Sequence, residues 1–145
     1  MSGGSTLRPA HLQPVLIALV LLGGTLGTAA REGLVLSVPS LGSFPLAVFA
    51  INVVGAFALG VVLESLVDGS GGDLARNIRL LVGTGFLGGF TTYSALATGT
   101  DLLLREGDVA TGLLYAVGTL LLGLAAAGAG VAVAAAGRRS VTDSA

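Results

Sequence analysis

Four long apolar segments separated by short polar stretches make up most of this chain. They run from about 14 to 38, 44 to 66, 76 to 104 and 109 to 136. A helix needs about 20 mostly apolar residues to cross a bilayer, so each segment predicts a membrane-spanning helix. Residues 1–13 and 137–145 read as polar tails. A turn is expected at Pro39–Ser43, a flexible polar loop at Val67–Ala75, and a tight polar loop at Arg105–Asp108. Arg138 and Arg139 are expected to stop the fourth span. Arg31 and Glu32 fall near the far end of the first span, where a long side chain can snorkel to the interface. Residues 1–145 thus read as a single all-α membrane domain of four transmembrane helices.

The third segment is too long for one straight crossing. Its middle reads Gly83-Thr-Gly-Phe-Leu-Gly-Gly-Phe-Thr-Thr-Tyr-Ser94. Adjacent glycines and adjacent β-branched threonines weaken helix locally. The segment therefore predicts a helix broken between Gly88 and Ser94. Non-helical backbone at membrane depth persists only where protein buries it or where it lines a wet cavity. A broken span points to a pore or an ion site.

Composition narrows the class. Charged residues are 10% of the chain, against about a quarter in a soluble domain. With four spans, 145 residues leave no room for a separate soluble domain. Cysteine is absent, which excludes disulfides and thiolate metal sites. A net charge of −1 argues against a nucleic-acid partner. No cleavable signal peptide is expected. The single histidine, His11, lies outside the spans, and no enzyme constellation is present. No carboxylate falls at mid-membrane, which argues against a proton-coupled carrier. Four spans put both termini on one face, with Arg8, Arg76, Arg79, Arg138 and Arg139; Arg31 and Arg105 fall on the other. The positive-inside bias then predicts cytoplasmic termini.

The spans carry few polar side chains. Asn52 is the clearest in the second span. A carboxamide in hydrocarbon needs partners, and its two N–H donors carry no charge. Those donors suit a partly dehydrated anion. An interhelical hydrogen bond that holds the bundle explains Asn52 equally well. Thr111, Tyr115 and Thr119 recur at a spacing of one helical turn in the fourth span. They outline a hydroxyl track. Taken alone, they are better explained by back-bonding to their own helix and by interfacial anchoring of the tyrosine. The small residues of the fourth span, such as Gly118, Gly123 and Gly130, read as helix-packing positions.

Four pieces, in order, are similar to the Fluc/CrcB fluoride channel family. They are Gly23-Gly-Thr-Leu-Gly27 followed by Arg31; Asn52 with Gly55, Phe57 and Gly60; Gly85-Phe-Leu-Gly-Gly-Phe-Thr-Thr-Tyr-Ser94; and Tyr115 with Thr119. The third piece is the specific one, and the resemblance covers nearly the whole chain. It implies four transmembrane helices paired into an antiparallel, dual-topology dimer with two pores. It implies a structural Na+ at the dimer centre, held by backbone carbonyls at positions matching Gly88 and Thr91. Pore-lining positions then fall on Arg31, Asn52, Phe90, Tyr93, Ser94, Leu96, Tyr115 and Thr119. In the family two phenylalanine rings present electropositive edges to fluoride; Tyr93 matches the first and Leu96 the second. Ala95, Leu96, Gly99 and Gly123 depart from the family pattern.

The resemblance implies passive export of fluoride across the cell membrane by a homodimer, or by a heterodimer with an oppositely oriented homologue. The loss of the second ring and the arginine bias favour the heterodimer. Two other classes compete: a non-conducting or partly degraded scaffold subunit of such a channel, and a small multidrug carrier. The lack of a carboxylate in the first span speaks against the carrier.

Overall fold

The computed structural model describes residues 13–39, 42–67 and 72–142. Arg8, His11 and the loop at 68–71 lie outside the described residues. Four helical passes account for the rest, each long and apolar enough to cross a membrane. Helix α1 is Pro14–Ser37, α2 is Leu46–Ser65, and α6 is Val109–Thr142. The third pass is composite. It begins as α3, Gly72–Ile78, widens into a π-helix at Arg79–Leu87, and closes with one turn, α4, at Gly88–Phe90. After two extended residues it resumes as α5, Tyr93–Arg105.

Local chemistry sets the ends. Pro14 opens α1, where its missing N–H costs nothing. Pro39 closes it by forcing Val38 into extended backbone, φ −102° and ψ 114°. Helix α2 starts at Leu46 rather than at 44, because Pro45 sits at its N-cap position. Phe44, just before the cap, stacks edge-on against Phe49 with ring centroids 5.4 Å apart, a hydrophobic staple across the first turn. Between α5 and α6, Gly107 takes φ +83°. The Asp108 amide reaches the Leu103 carbonyl and the Gly107 amide reaches that of Leu104, a Schellman closure that requires this left-handed residue.

Two further boundaries differ from expectation. The third pass starts at Gly72 rather than 76, because Asp73 lies in its first turn and pairs with Arg76 at 3.0 Å. The fourth helix runs through Arg138 and Arg139 to Thr142 rather than stopping near 136. Its Ala134–Ala136 run favours helix. Arg138 is also held by tertiary contacts, to the carboxylate and the backbone carbonyl of Glu64. Arg79 adds a bond to the Leu66 carbonyl at 3.0 Å. The carboxyl end of α2, which has no basic residue in its own last turn, thus takes its capping charges from two neighbouring passes.

The passes form two parallel pairs. The first half of the third pass lies along α1, and α6 lies along α2. Both seams are backbone on backbone. A Cβ on Gly23 would overlap the Leu81 carbonyl oxygen, and one on Gly60 would overlap that of Ala127. After its break the third pass leaves α1 and packs on α6 instead. There Leu96, Leu103 and Tyr115 form a buried cluster with Phe44, Val48 and Phe49 around it. Elsewhere large side chains such as Leu114 and Leu121 face outward, as a helix surrounded by lipid requires.

At the turn into α6, Asp108 accepts hydrogen bonds from the Thr111 amide at 3.3 Å and from Ser43 at 2.9 Å. Its carboxylate caps α6 and ties the two loops of that face together. Bonds from Thr111 and then Ser43 hold the Asp108 carboxyl below the usual aspartate range. The unfolded chain therefore binds that proton more readily. The stabilisation is complete above the ordinary aspartate pKa of about 4 and is lost as pH falls through and below it. The melting-temperature gap between the unmodified protein and Asp108→Ala, read in detergent, is expected to narrow progressively as pH is lowered from neutral to below about 4. A gap that does not narrow at all as the pH falls would rule out the carboxylate cap as its source.

Candidate functional site

The third pass leaves the helix at Thr91 and Thr92. Thr91 has φ −77° and ψ 156°, and Thr92 has φ −149° and ψ 120°. Three side chains hold this break. The Thr91 hydroxyl donates to the Leu87 carbonyl at 2.8 Å, which also receives the Thr91 amide. The Thr92 hydroxyl accepts from the Ala95 amide at 3.2 Å, capping α5. Asn52 reaches across from α2 and engages both polar groups of Thr92. Its Oδ1 accepts from the Thr92 amide at 2.8 Å, and its Nδ2 donates to the Thr92 carbonyl at 3.0 Å. In an unbroken helix the Thr92 amide would go to the Gly88 carbonyl. Asn52 takes that donor away and leaves the Gly88 oxygen free of it.

Room for the break is cut into α2. A Cβ on Gly55 would collide with the Thr91 methyl group, so glycine there lets the extended residues approach. Gly88 faces the other way; nothing lies within 4 Å of where its Cβ would be. Here the carbonyl end of one half-helix meets the amide end of another. Such ends carry partial charges of opposite sign and serve cations and anions respectively.

A cavity of about 440 Å3 opens beside the break, between α2, the third pass and α6. Asn52, Gly88, Thr91, Tyr93, Leu96 and Thr119 are on its wall. Tyr93 is 79% exposed and Leu96 6%, so the tyrosine projects while the leucine presents one edge of the core. The other expected site residues lie elsewhere. Phe90 stacks on Phe86, with centroids 5.8 Å apart, and lines a separate cleft of about 120 Å3 with Leu34 and Ile51. Ser94 is exposed and shares a hydrogen bond with the Thr92 hydroxyl at 3.2 Å. Tyr115 is wholly buried against Phe44, and its hydroxyl has no hydrogen-bond partner among the described residues. Arg31 is half-buried on α1, one turn beyond Gly27.

Of the hydroxyl track, Thr119 is back-bonded as expected, whereas Tyr115 is buried in the core rather than anchored at an interface. Thr119 donates to the Tyr115 carbonyl at 2.5 Å, although the residue also borders the cavity. Thr92 is the residue at the break that sequence reasoning did not single out. A threonine three residues before Ala95, opening a new helical run, is an N-cap signal in its own right. Among the described residues no group of three His, Cys, Asp or Glu side chains comes together. A cation at the break would therefore use backbone oxygens.

Four apolar passes, one of them broken beside a largely apolar cavity, make this a multi-pass membrane protein. Comparison with known proteins gives the family. The profile of the CrcB-like protein, Camphor Resistance (CrcB) family matches residues 18–131. The chain is 48% identical over 129 residues to the Fluoride-specific ion channel FluC 2 of Leifsonia xyli subsp. xyli, covering 88% of this chain and 89% of that one. It is 44% identical over 108 residues to a Fluoride-specific ion channel FluC of Thermus thermophilus, covering 73% and 84%. It is 42% identical over 113 residues to the Fluoride-specific ion channel FluC 1 of Cutibacterium acnes, covering 77% and 79%. The chain belongs to the CrcB family.

Proposed function

We propose that this chain is a subunit of a fluoride-specific channel that lets fluoride leave the cell down its electrochemical gradient. One observation carries the reading. Asn52 holds open a break in a membrane span at the wall of a cavity, in a chain nearly half identical to a fluoride-specific ion channel. Asn52, Tyr93 and Thr119 line the ion path on this reading, and Tyr93 presents its ring edge and hydroxyl to the anion. Leu96 adds to the same wall, Arg31, Phe90 and Ser94 complete the path when a second subunit closes it, and Tyr115, wholly buried, backs the wall from the core. Fluoride efflux from liposomes holding the purified protein tests the proposal. Sealed, correctly assembled protein without efflux, alone or with a homologous partner, would reject it.

A Na+ ion at the centre of the assembly fits the break. The Gly88 carbonyl has lost its helical donor, and Gly88 borders open space on its Cβ side. A carbonyl oxygen is a hard ligand suited to a hard cation. The Gly88 and Thr91 carbonyls would hold the ion together with those of a second subunit. Its charge would offset part of the cost of bringing an anion into the membrane. The partner is a second, oppositely oriented chain, either identical or a homologue. Some relatives carry numbered names, FluC 1, FluC 2 and FluC 3, which favours the homologue. The arginine bias favours cytoplasmic termini in a single orientation. Reporter tags fused after Ala145 should read cytoplasmic only, whereas an even split would support a dual-topology homodimer.

In a heterodimer with a fully aromatic partner the two pores are unequal, because Leu96 offers an anion no ring edge. Leu96 touches both the core and the cavity. A ring introduced there has the cavity to grow into, at an overpacking cost of about 1–3 kcal/mol if it does not. Changing Ala95 to Thr and Leu96 to Phe together is expected to raise the conductance of the weaker pore. Two equal pores in the unmodified complex, seen by single-channel recording, would show that these positions do not limit permeation. So would an assembled double variant with no gain.

A further inference from the structure

The cavity does not end at Tyr93. A second groove of about 340 Å3 continues from it between α5 and α6, sharing Tyr93, Leu96 and Leu120 with the cavity. It runs past Thr100 to Asp101 and Leu104, at the end of α5. Tyr93, Ala97, Thr100, Asp101 and Leu104 recur at helical spacing, so one stripe of α5 forms its wall. The polar groups along it are not equivalent. The Thr100 hydroxyl is committed to the Leu96 carbonyl at 2.8 Å. Asp101 accepts from Arg105 Nε at 2.7 Å, and the two side chains are 57% and 74% exposed. Beyond them, Asp108 is occupied by Ser43 and Thr111.

Resting on the reading of the chain as a fluoride channel, we infer that Asp101 and Arg105 set the charge at one mouth of the ion path. Arg105 draws the small anion toward the groove, and Asp101 limits how strongly the mouth retains it. As a brace the pair is weak, because an exposed ion pair one helical turn apart adds little to stability. As a charged mouth it acts on every ion that passes. A groove with low-dielectric walls focuses the field of such charges and changes the local concentration of a small ion. Paired, the two charges nearly cancel. An anion is attracted without being trapped, which suits conduction better than tight binding.

The two roles predict opposite results. If the pair only props α5, Asp101→Asn and Arg105→Gln both loosen the same contact, and both lower flux or leave it unchanged. If it sets the mouth potential, Asp101→Asn raises fluoride flux and Arg105→Gln lowers it. Each effect is about three- to tenfold at low ionic strength, and both shrink as salt screens the charges. The double neutral variant then returns toward the unmodified rate. Measurement is by fluoride efflux from liposomes in low and high salt, on protein shown by size exclusion to be assembled. Should Arg105→Gln fail to assemble, Asp101→Asn still decides, because losing a mere prop does not raise an anion's flux. Same-sign changes, or no change, in a chain that conducts would overturn the mouth assignment alone. An unmodified protein with no flux would overturn it together with the channel reading.

Discussion

Replacing Asn52 by Asp is expected to cut fluoride efflux by about two to three orders of magnitude while leaving the protein assembled. The carboxylate still accepts from the Thr92 amide, and a charged acceptor binds it more strongly than the amide oxygen does. The half of the clamp that breaks is the donor side, since an aspartate has no N–H for the Thr92 carbonyl. A unit negative charge also now sits on the cavity wall. At about 4 Å and an effective dielectric near 20 it repels an anion by about 4 kcal/mol, and each 1.4 kcal/mol is a factor of ten in rate. Asn52→Ala is expected to fail differently. It adds no charge but leaves both polar groups of Thr92 without partners, at about 1–3 kcal/mol each. The Thr92 amide then has reason to return to the Gly88 carbonyl and straighten the third pass. Any flux that the alanine variant retains should therefore no longer depend on Na+. Normal efflux from an assembled Asp variant would remove Asn52 from the ion path. Efflux lost in the alanine variant but kept in the aspartate variant would leave it the clamp alone.

This double role of Asn52 marks where the sequence stopped being readable. As a sequence position it supported two readings, an ion-path residue or an interhelical hydrogen bond. In the structure the amide makes the interhelical bonds and borders the cavity at once. The four passes were legible because apolar runs of membrane length have few other solutions. A weak point near Gly88–Ser94 was legible from glycine and threonine chemistry. Which residues leave the helix was not, since that choice depends on Asn52, 40 positions away, and on the space at Gly55. The π-helical stretch at Arg79–Leu87 carries no local signature either. The end of α6 went unread because Arg138 finds its partner on α2, 74 positions earlier. Thr92, by contrast, carried a readable cap signal that the more conspicuous glycines and aromatics obscured.

A single added methyl group at Gly60 or Gly23 is expected to destabilise the fold more than a bulky change at many outward-facing leucines. Lipid tails are as apolar as leucine, so no hydrophobic force drives these helices together; close packing does. At Gly60 the new Cβ would meet the Ala127 carbonyl oxygen, and at Gly23 that of Leu81. Backbone atoms have no rotamer to escape into, so relief requires the paired helices to part. Parting them forfeits contacts along the whole seam, including the reciprocal one where Gly130 lies against the Phe57 carbonyl. Overpacking costs about 1–3 kcal/mol, and a backbone clash belongs at the upper end. Gly33 and Gly128 provide the comparison, because nothing lies within 4 Å of their Cβ positions. Alanine there is expected to be neutral or to gain up to about 1 kcal/mol from helix propensity. Thermal unfolding of the four Gly→Ala variants in one detergent should separate Gly23 and Gly60 from Gly33 and Gly128. If all four melt together, the helix spacing in the membrane is wider than the glycine seams require.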